Sequence, residues 1–107
     1  MEKYPLGNKK AYDVLENSIK AYTYAMIDAL LKASVKNGLE KEEAYKTAVQ
    51  LVLGSAKLVK ESGEHPWELV DMVCSPGGTT IEGVAALQSM AFEAKVTEAF
   101  DNSFAAE

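Results

Sequence analysis

The chain has 107 residues, 48% of them hydrophobic, and 16 acidic against 11 basic side chains leave a net charge of −5. That length implies one domain that buries about two-thirds of its unfolded surface, and no run approaches the roughly 18 apolar residues a membrane span needs. The acidic balance, with lysines scattered among carboxylates, argues against nucleic acid, and a single cysteine, Cys74, with a single histidine, His65, excludes an internal disulfide and a cysteine-based zinc site.

"MEKYPLGNKK" has basic residues but no apolar run of the kind a secretory signal requires, so a soluble, cytoplasmic protein is expected. Alternation of apolar and polar residues is not sustained anywhere, whereas helical spacing recurs throughout, and the chain reads as all-α. Leu15, Ile19, Tyr22, Met26, Leu30 and Ala33 step by three or four and predict a first long helix over about 9–37, stopped by Asn37 and Gly38. "LEKEEAYK" opens a second long helix with Glu40, Glu42 and Glu43 near its first amides. Ala44, Ala48, Val52, Ala56 and Val59 then make a stripe of small residues that lets another helix approach closely, and Gly63 ends it.

Pro66 in "EHPWELVDMV" suits the first position of a short third helix, where no amide hydrogen is needed. After "SPGG", Thr79 and Glu82 have capping-box spacing. A long fourth helix is predicted from there, with Ile81, Val84, Ala85, Ala91, Phe92, Val96, Ala99 and Phe100 apolar and no glycine or proline after Gly83. The expected fold is thus a bundle of about four helices: two long N-terminal ones, one short and one long C-terminal. A 28-residue helix spans about 42 Å, against a radius of gyration of about 13 Å for a compact chain of this size. The overhang needs cover, and a second copy is the simplest source, which predicts an intertwined or side-by-side homodimer, with a higher oligomer as its extension.

The stretch "VLGSAKLVKESGEHPWELVDMVCSPGGTTIEGVAAL", residues 52–87, resembles the C-terminal helical dimerisation domain of pyrroline-5-carboxylate reductase, the last enzyme of proline biosynthesis. "AYTYAMIDALLKASVKNGL" and "EEAYKTAVQ" are similar to the family's preceding segments, so the resemblance covers about residues 20–100 of a single domain spanning 1–107. It implies that Ser75, the amides of Gly77, Gly78 and Thr79, and Thr80 hold a substrate carboxylate and ring nitrogen, with the Thr80 hydroxyl facing the nitrogen. Consecutive amides in a glycine-rich turn before a helix do form an anion nest.

Departures from the family pattern weigh against catalysis. The chain contains no G-x-G-x-x-G after a strand, so the Rossmann domain through which the family uses NADPH or NADH is missing from these residues, and no cofactor site and no metal site are expected. "NSIK", residues 17–20, stands where the family has a Gly-Ser-Gly-Pro turn, and Met90 and Ala91 stand where it usually has a glycine pair. Both replacements favour helix, by up to about 1 kcal/mol per glycine removed. Their shared direction reads as an isolated domain, either engineered or natural.

The bland alternative for residues 75–80 is a tight interhelix turn with a cap. His65 is expected at a helix start, Cys74 as a small buried hydrophobe, and Trp67 as packing for the short helix. Among Tyr4, Tyr12, Tyr22, Tyr24 and Tyr45, Tyr22 alone falls on the first helix's stripe. The sequence therefore predicts an oligomerisation module without catalysis of its own. Two alternatives stand beside it: the substrate-binding part of a reductase completed by a separate NAD(P)H-binding chain, and a weak binder of a proline-like carboxylate.

Overall fold

A computed structural model of the chain describes residues 8–106. Among them lie five α-helices and no strand: α1 (Lys9–Lys36), α2 (Lys41–Ser62), α3 (Pro66–Val73), α4 (Thr79–Ser89) and α5 (Phe92–Ala106). The all-α expectation holds. Tyr4 lies outside the described residues.

Local chemistry sets most helix ends. The amides of Gly38 and Leu39 bond the carbonyls of Val35 and Ser34 at 3.1 and 3.0 Å, the pair of bonds that defines a Schellman closure of α1. Gly38 supplies the positive φ, +112°, that the closure needs. The Glu40 carboxylate accepts from the Glu42 amide at 3.1 Å and caps α2, whose other end is closed by Gly63 at φ +70°. His65 caps α3 through Nδ1, which accepts from the Trp67 amide at 3.1 Å, and Pro66 follows at the first helical position.

The long fourth helix is not continuous. It divides at Met90 and Ala91 into α4 and α5, although neither residue is a helix breaker. Ala91 takes φ +57°, the one positive φ outside glycine among the described residues. A left-handed alanine costs about 1–2 kcal/mol, so tertiary contacts, not propensity, hold the bend. The replaced break at residues 17–20 behaves as its sequence predicts, because α1 runs straight through it.

Two units build the fold. One joins residues 8–24, which include the first part of α1, to residues 85–106, which include α5; the other is Ala25–Val84. In the first, Val14 and Ser18 are buried, and Tyr22 hydrogen-bonds Ser103 through its hydroxyl at 2.8 Å. Lys10 Nζ sits 4.4 Å above the Phe104 ring. The face α1 gives to α5 therefore runs through Ala11, Val14, Ser18 and Tyr22. The predicted stripe shares Tyr22 with this face and otherwise lies beside it, with Leu15 and Ile19 46% and 54% exposed.

In the second unit Ala44 is 1% exposed and is the one fully buried apolar residue. Met26, Leu30, Tyr45, Leu51, Leu53 and Leu58 are all exposed. At 100° per residue, the apolar positions of α2 from Ala44 to Val59 cover more than half its circumference, while Lys46, Gln50, Lys57 and Glu61 hold the polar remainder. A helix apolar over that much of its surface belongs between two packing partners. The small-residue stripe is covered at Ala44, half covered at Ala48 and Val52, and open at Ala56 and Val59.

Candidate functional site

The loop between α3 and α4 lies wholly in the second unit. The Cys74 amide closes α3 on the Val70 carbonyl at 3.1 Å, and Cys74 itself is half-buried. Residues 75–78 then form a tight turn, in which the Gly78 amide donates to the Ser75 carbonyl at 2.9 Å. Pro76 occupies the second position, where its fixed φ is favourable, and Gly77 the third at φ +74°. That combination is a type II turn, and it requires glycine at residue 77.

Gly78 is needed for a different reason. A Cβ there would sit 3.1 Å from the Ser75 carbonyl oxygen, so the turn would have to shift by a few tenths of an ångström to take a side chain. At Gly77 a Cβ would meet nothing within 4 Å, and its requirement is conformational. Gly77→Ala is expected to destabilise the chain by about 1–2 kcal/mol through the left-handed backbone alone, read as a lower thermal midpoint with the helical circular dichroism unchanged at 20 °C.

The turn delivers the chain directly into α4, which begins at Thr79 with Gly78 before it. Thr79 is thus inside the helix and not its cap, and among the described residues Thr79 and Glu82 form no reciprocal capping bonds. The Thr79 and Thr80 amides head the helix, where the α-helical pattern offers them no acceptor. Ser75, Pro76, Gly77, Thr79 and Thr80 are all exposed, and Gly78 is half-buried. One of the anticipated nest amides, that of Gly78, is spent on the turn, a detail readable from Pro and Gly at the second and third turn positions.

The chemistry available is accordingly that of exposed hydroxyls from Ser75, Thr79 and Thr80 and of amides at a helix start. These groups attract an anion but supply no base, nucleophile or redox group. His65 is committed to capping α3. Trp67 is half-buried on α3. Among the described residues no group of three or more His, Cys, Asp or Glu gathers as a metal site would require, and no helix is long and apolar enough to cross a membrane.

Glu64 and Glu68, flanking the start of α3, share a hydrogen bond that raises the Glu64 carboxyl above its ordinary range, with desolvation adding to the rise. A raised acid stabilises the fold while protonated, so its contribution is full in acid and disappears as pH rises through the shifted value. A carboxyl-detected NMR titration should place Glu64 above the ordinary glutamate range, and Glu68→Ala should return it there.

Comparison with known proteins agrees with this geometry. Residues 10–107 match the family described as pyrroline-5-carboxylate reductase dimerisation. The pyrroline-5-carboxylate reductase of Escherichia coli strain K12 is 52% identical over 85 residues, which are 79% of this chain and 32% of that protein. The crystal structure of 1-pyrroline-5-carboxylate reductase from Streptococcus pyogenes superimposes with a TM-score of 0.90 at 38% identity, over 96% of this chain and 40% of that one. The Plasmodium falciparum enzyme, solved with NADP bound, gives 0.88 at 30% identity, over 94% and 38%. The chain therefore spans about a third of the length of the curated relatives it matches. It belongs to the pyrroline-5-carboxylate reductase dimerisation family.

Proposed function

We propose that these residues act as a homodimerising helical domain and carry out no catalysis by themselves. The observation that carries this reading is the apolar surface of α2: Tyr45, Val49, Leu51, Leu53, Leu58 and Val59 are 37–63% exposed on a helix whose one fully buried apolar residue is Ala44. Such a surface needs a second packing partner, and twofold pairing of identical chains supplies one at the lowest genetic complexity. Sedimentation equilibrium across a hundredfold concentration range should give twice the 11.6 kDa of the chain. A mass of one chain throughout would overturn the reading.

The loop favours a second role that acts only in company. The Thr79 and Thr80 amides at the start of α4, with the Ser75 and Thr80 hydroxyls near them in sequence, suit the carboxylate of pyrroline-5-carboxylate, the substrate named by the relatives. Gly77 keeps the backbone low enough for that approach. NADP, bound in the Plasmodium enzyme, would be held by other residues, since the residues described contain no strand and no glycine-rich strand-to-helix turn. Reduction then requires a nucleotide-binding domain in addition to these residues, and proline biosynthesis is the pathway served when one is present. An NMR titration with proline should move the Gly77, Thr79 and Thr80 amides in the millimolar range, and no shift at 20 mM would remove the binding role. Turnover of NADPH and substrate by the purified chain alone would overturn the non-catalytic reading.

A further inference from the structure

We propose that a hollow in the unit made from both chain ends, floored by the Ser18 hydroxyl, is a binding site for a small neutral molecule that carries hydroxyl groups. Every residue that lines it belongs to one unit of one copy, so the site does not depend on the dimer reading.

Ser18 is the one buried polar residue among those described, at 8% exposure. A serine inside a helix can turn its hydroxyl back to a carbonyl three or four residues earlier, as Ser34 does to Leu30 and Ser89 to Ala86, each at 2.8 Å. Ser18 makes neither that bond nor any other through its side chain, and a buried hydroxyl left unpaired is costly until something completes it. Its oxygen is not sealed in, because no side-chain oxygen or nitrogen among the described residues is both enclosed and unbonded. It opens into a hollow of about 340 Å³ lined also by Val14, Asn17, Ala21, Tyr22 and Ser103.

The unbroken course of α1 through residues 17–20 builds this wall. Steps of three and four set Val14, Asn17, Ser18 and Ala21 on one side of the helix, with Val14 and Ser18 buried at the floor and Asn17 and Ala21 exposed at the rim. Asn17 stands where the family has a glycine, so the rim amide is this chain's own. No lining side chain is charged, which leaves an ionic ligand without a counter-charge and favours a neutral one. The polar groups both give and take hydrogen bonds. Ser18 keeps its hydrogen and its lone pairs; the Tyr22–Ser103 pair spends one of its two hydroxyl hydrogens between its members and keeps the other; Asn17 spends one amide hydrogen on the Asp13 carbonyl at 3.0 Å and keeps its carbonyl oxygen. A ligand hydroxyl, itself donor and acceptor, matches each of them, and Val14 and Ala21 take the carbon chain. The volume lies at the low end of the roughly 300–1,000 Å³ of small-molecule sites, which sets the size at a short diol or triol.

The test titrates propane-1,2-diol into the full chain and follows the backbone amides by NMR, with sodium acetate, of similar size but charged, as the control. The diol should shift the Asn17, Ser18, Ala21 and Ser103 amides saturably in the millimolar range, and acetate should leave these four unmoved. Ser18→Ala should weaken the diol about fivefold, the factor one lost hydrogen bond gives. The same substitution should raise the thermal midpoint, because it deletes an unpaired buried hydroxyl and improves helix propensity. A serine with a purely structural role would lower the midpoint and leave the titration as it was. Absence of shifts at 100 mM diol, equal affinity in the wild-type and Ser18→Ala chains, or equal shifts with acetate would overturn the site. Movement of the same four amides on raising the protein concentration without diol would overturn it too, since a second copy then fills the hollow.

Discussion

Leu58→Glu is expected to dissociate the proposed dimer and unfold most of the chain with it. Leu58 is 55% exposed within one copy, and with Leu51 it forms one flank of the apolar arc of α2. Losing the remaining half of a leucine's burial costs about 1 kcal/mol, and setting a carboxylate against apolar surface costs at least ~2 kcal/mol more. Twofold symmetry applies both losses twice, which gives about 6 kcal/mol, or roughly 10⁴-fold in the dissociation constant. Sedimentation velocity at 10 µM should show the single-chain mass, and circular dichroism should show reduced helicity, because among the described residues of one copy the buried apolar ones are Val14 and Ala44. Lys57→Glu, one residue away on the polar arc, should leave both readings unchanged. A Leu58→Glu protein that stays dimeric would show that this flank of α2 is not the interface.

Ala44→Leu is expected to have the next largest effect. Ala44, in the first turn of α2, is 1% exposed, so three added carbons must displace neighbours. Overpacking of that kind costs about 1–3 kcal/mol per chain. For a unit of this size, each kcal/mol lowers the thermal midpoint by about 4–8 °C, so a drop of about 4–24 °C is predicted by differential scanning calorimetry. Ala48→Leu, one turn along and only half-buried, should cost less. Equal losses at both positions would mean that Ala48 is as enclosed in the dimer as Ala44 is in one copy.

Most helix ends were legible where a local rule decides them, the exception being the capping box expected of Thr79 and Glu82. Gly38, Glu40, Gly63, His65 and Pro66 each act through their own backbone geometry or through a bond to a residue close in sequence, and each does in three dimensions what its type predicts. The division of the last helix was not legible, because nothing near Ala91 asks for it. It follows from contacts with α1 that are more than eighty residues away in sequence. The buried face of α1 was displaced for a related reason. Leu15 and Ile19 are large and dominate the hydrophobic pattern of this stretch, yet the α1 residues buried in this unit are Val14 and Ser18, with Tyr22 the one stripe member hydrogen-bonded to α5. Large residues left over from the chain's own packing are those a second copy would cover. In the loop, the residue types pointed to an anion site, but turn closure claims the Gly78 amide before any ligand can use it.

The Tyr22–Ser103 bond also fixes an order of events. Its partners are separated by 81 positions, and closing a loop of that length costs about 4 kcal/mol of chain entropy before any contact compensates. Residues 25–84 form one continuous segment whose helix caps are all local, so they can gain structure while the chain ends are still apart. The unit made from both ends is then the late one to form and the first to open. Amide hydrogen exchange in α5 should accordingly be faster than in α2.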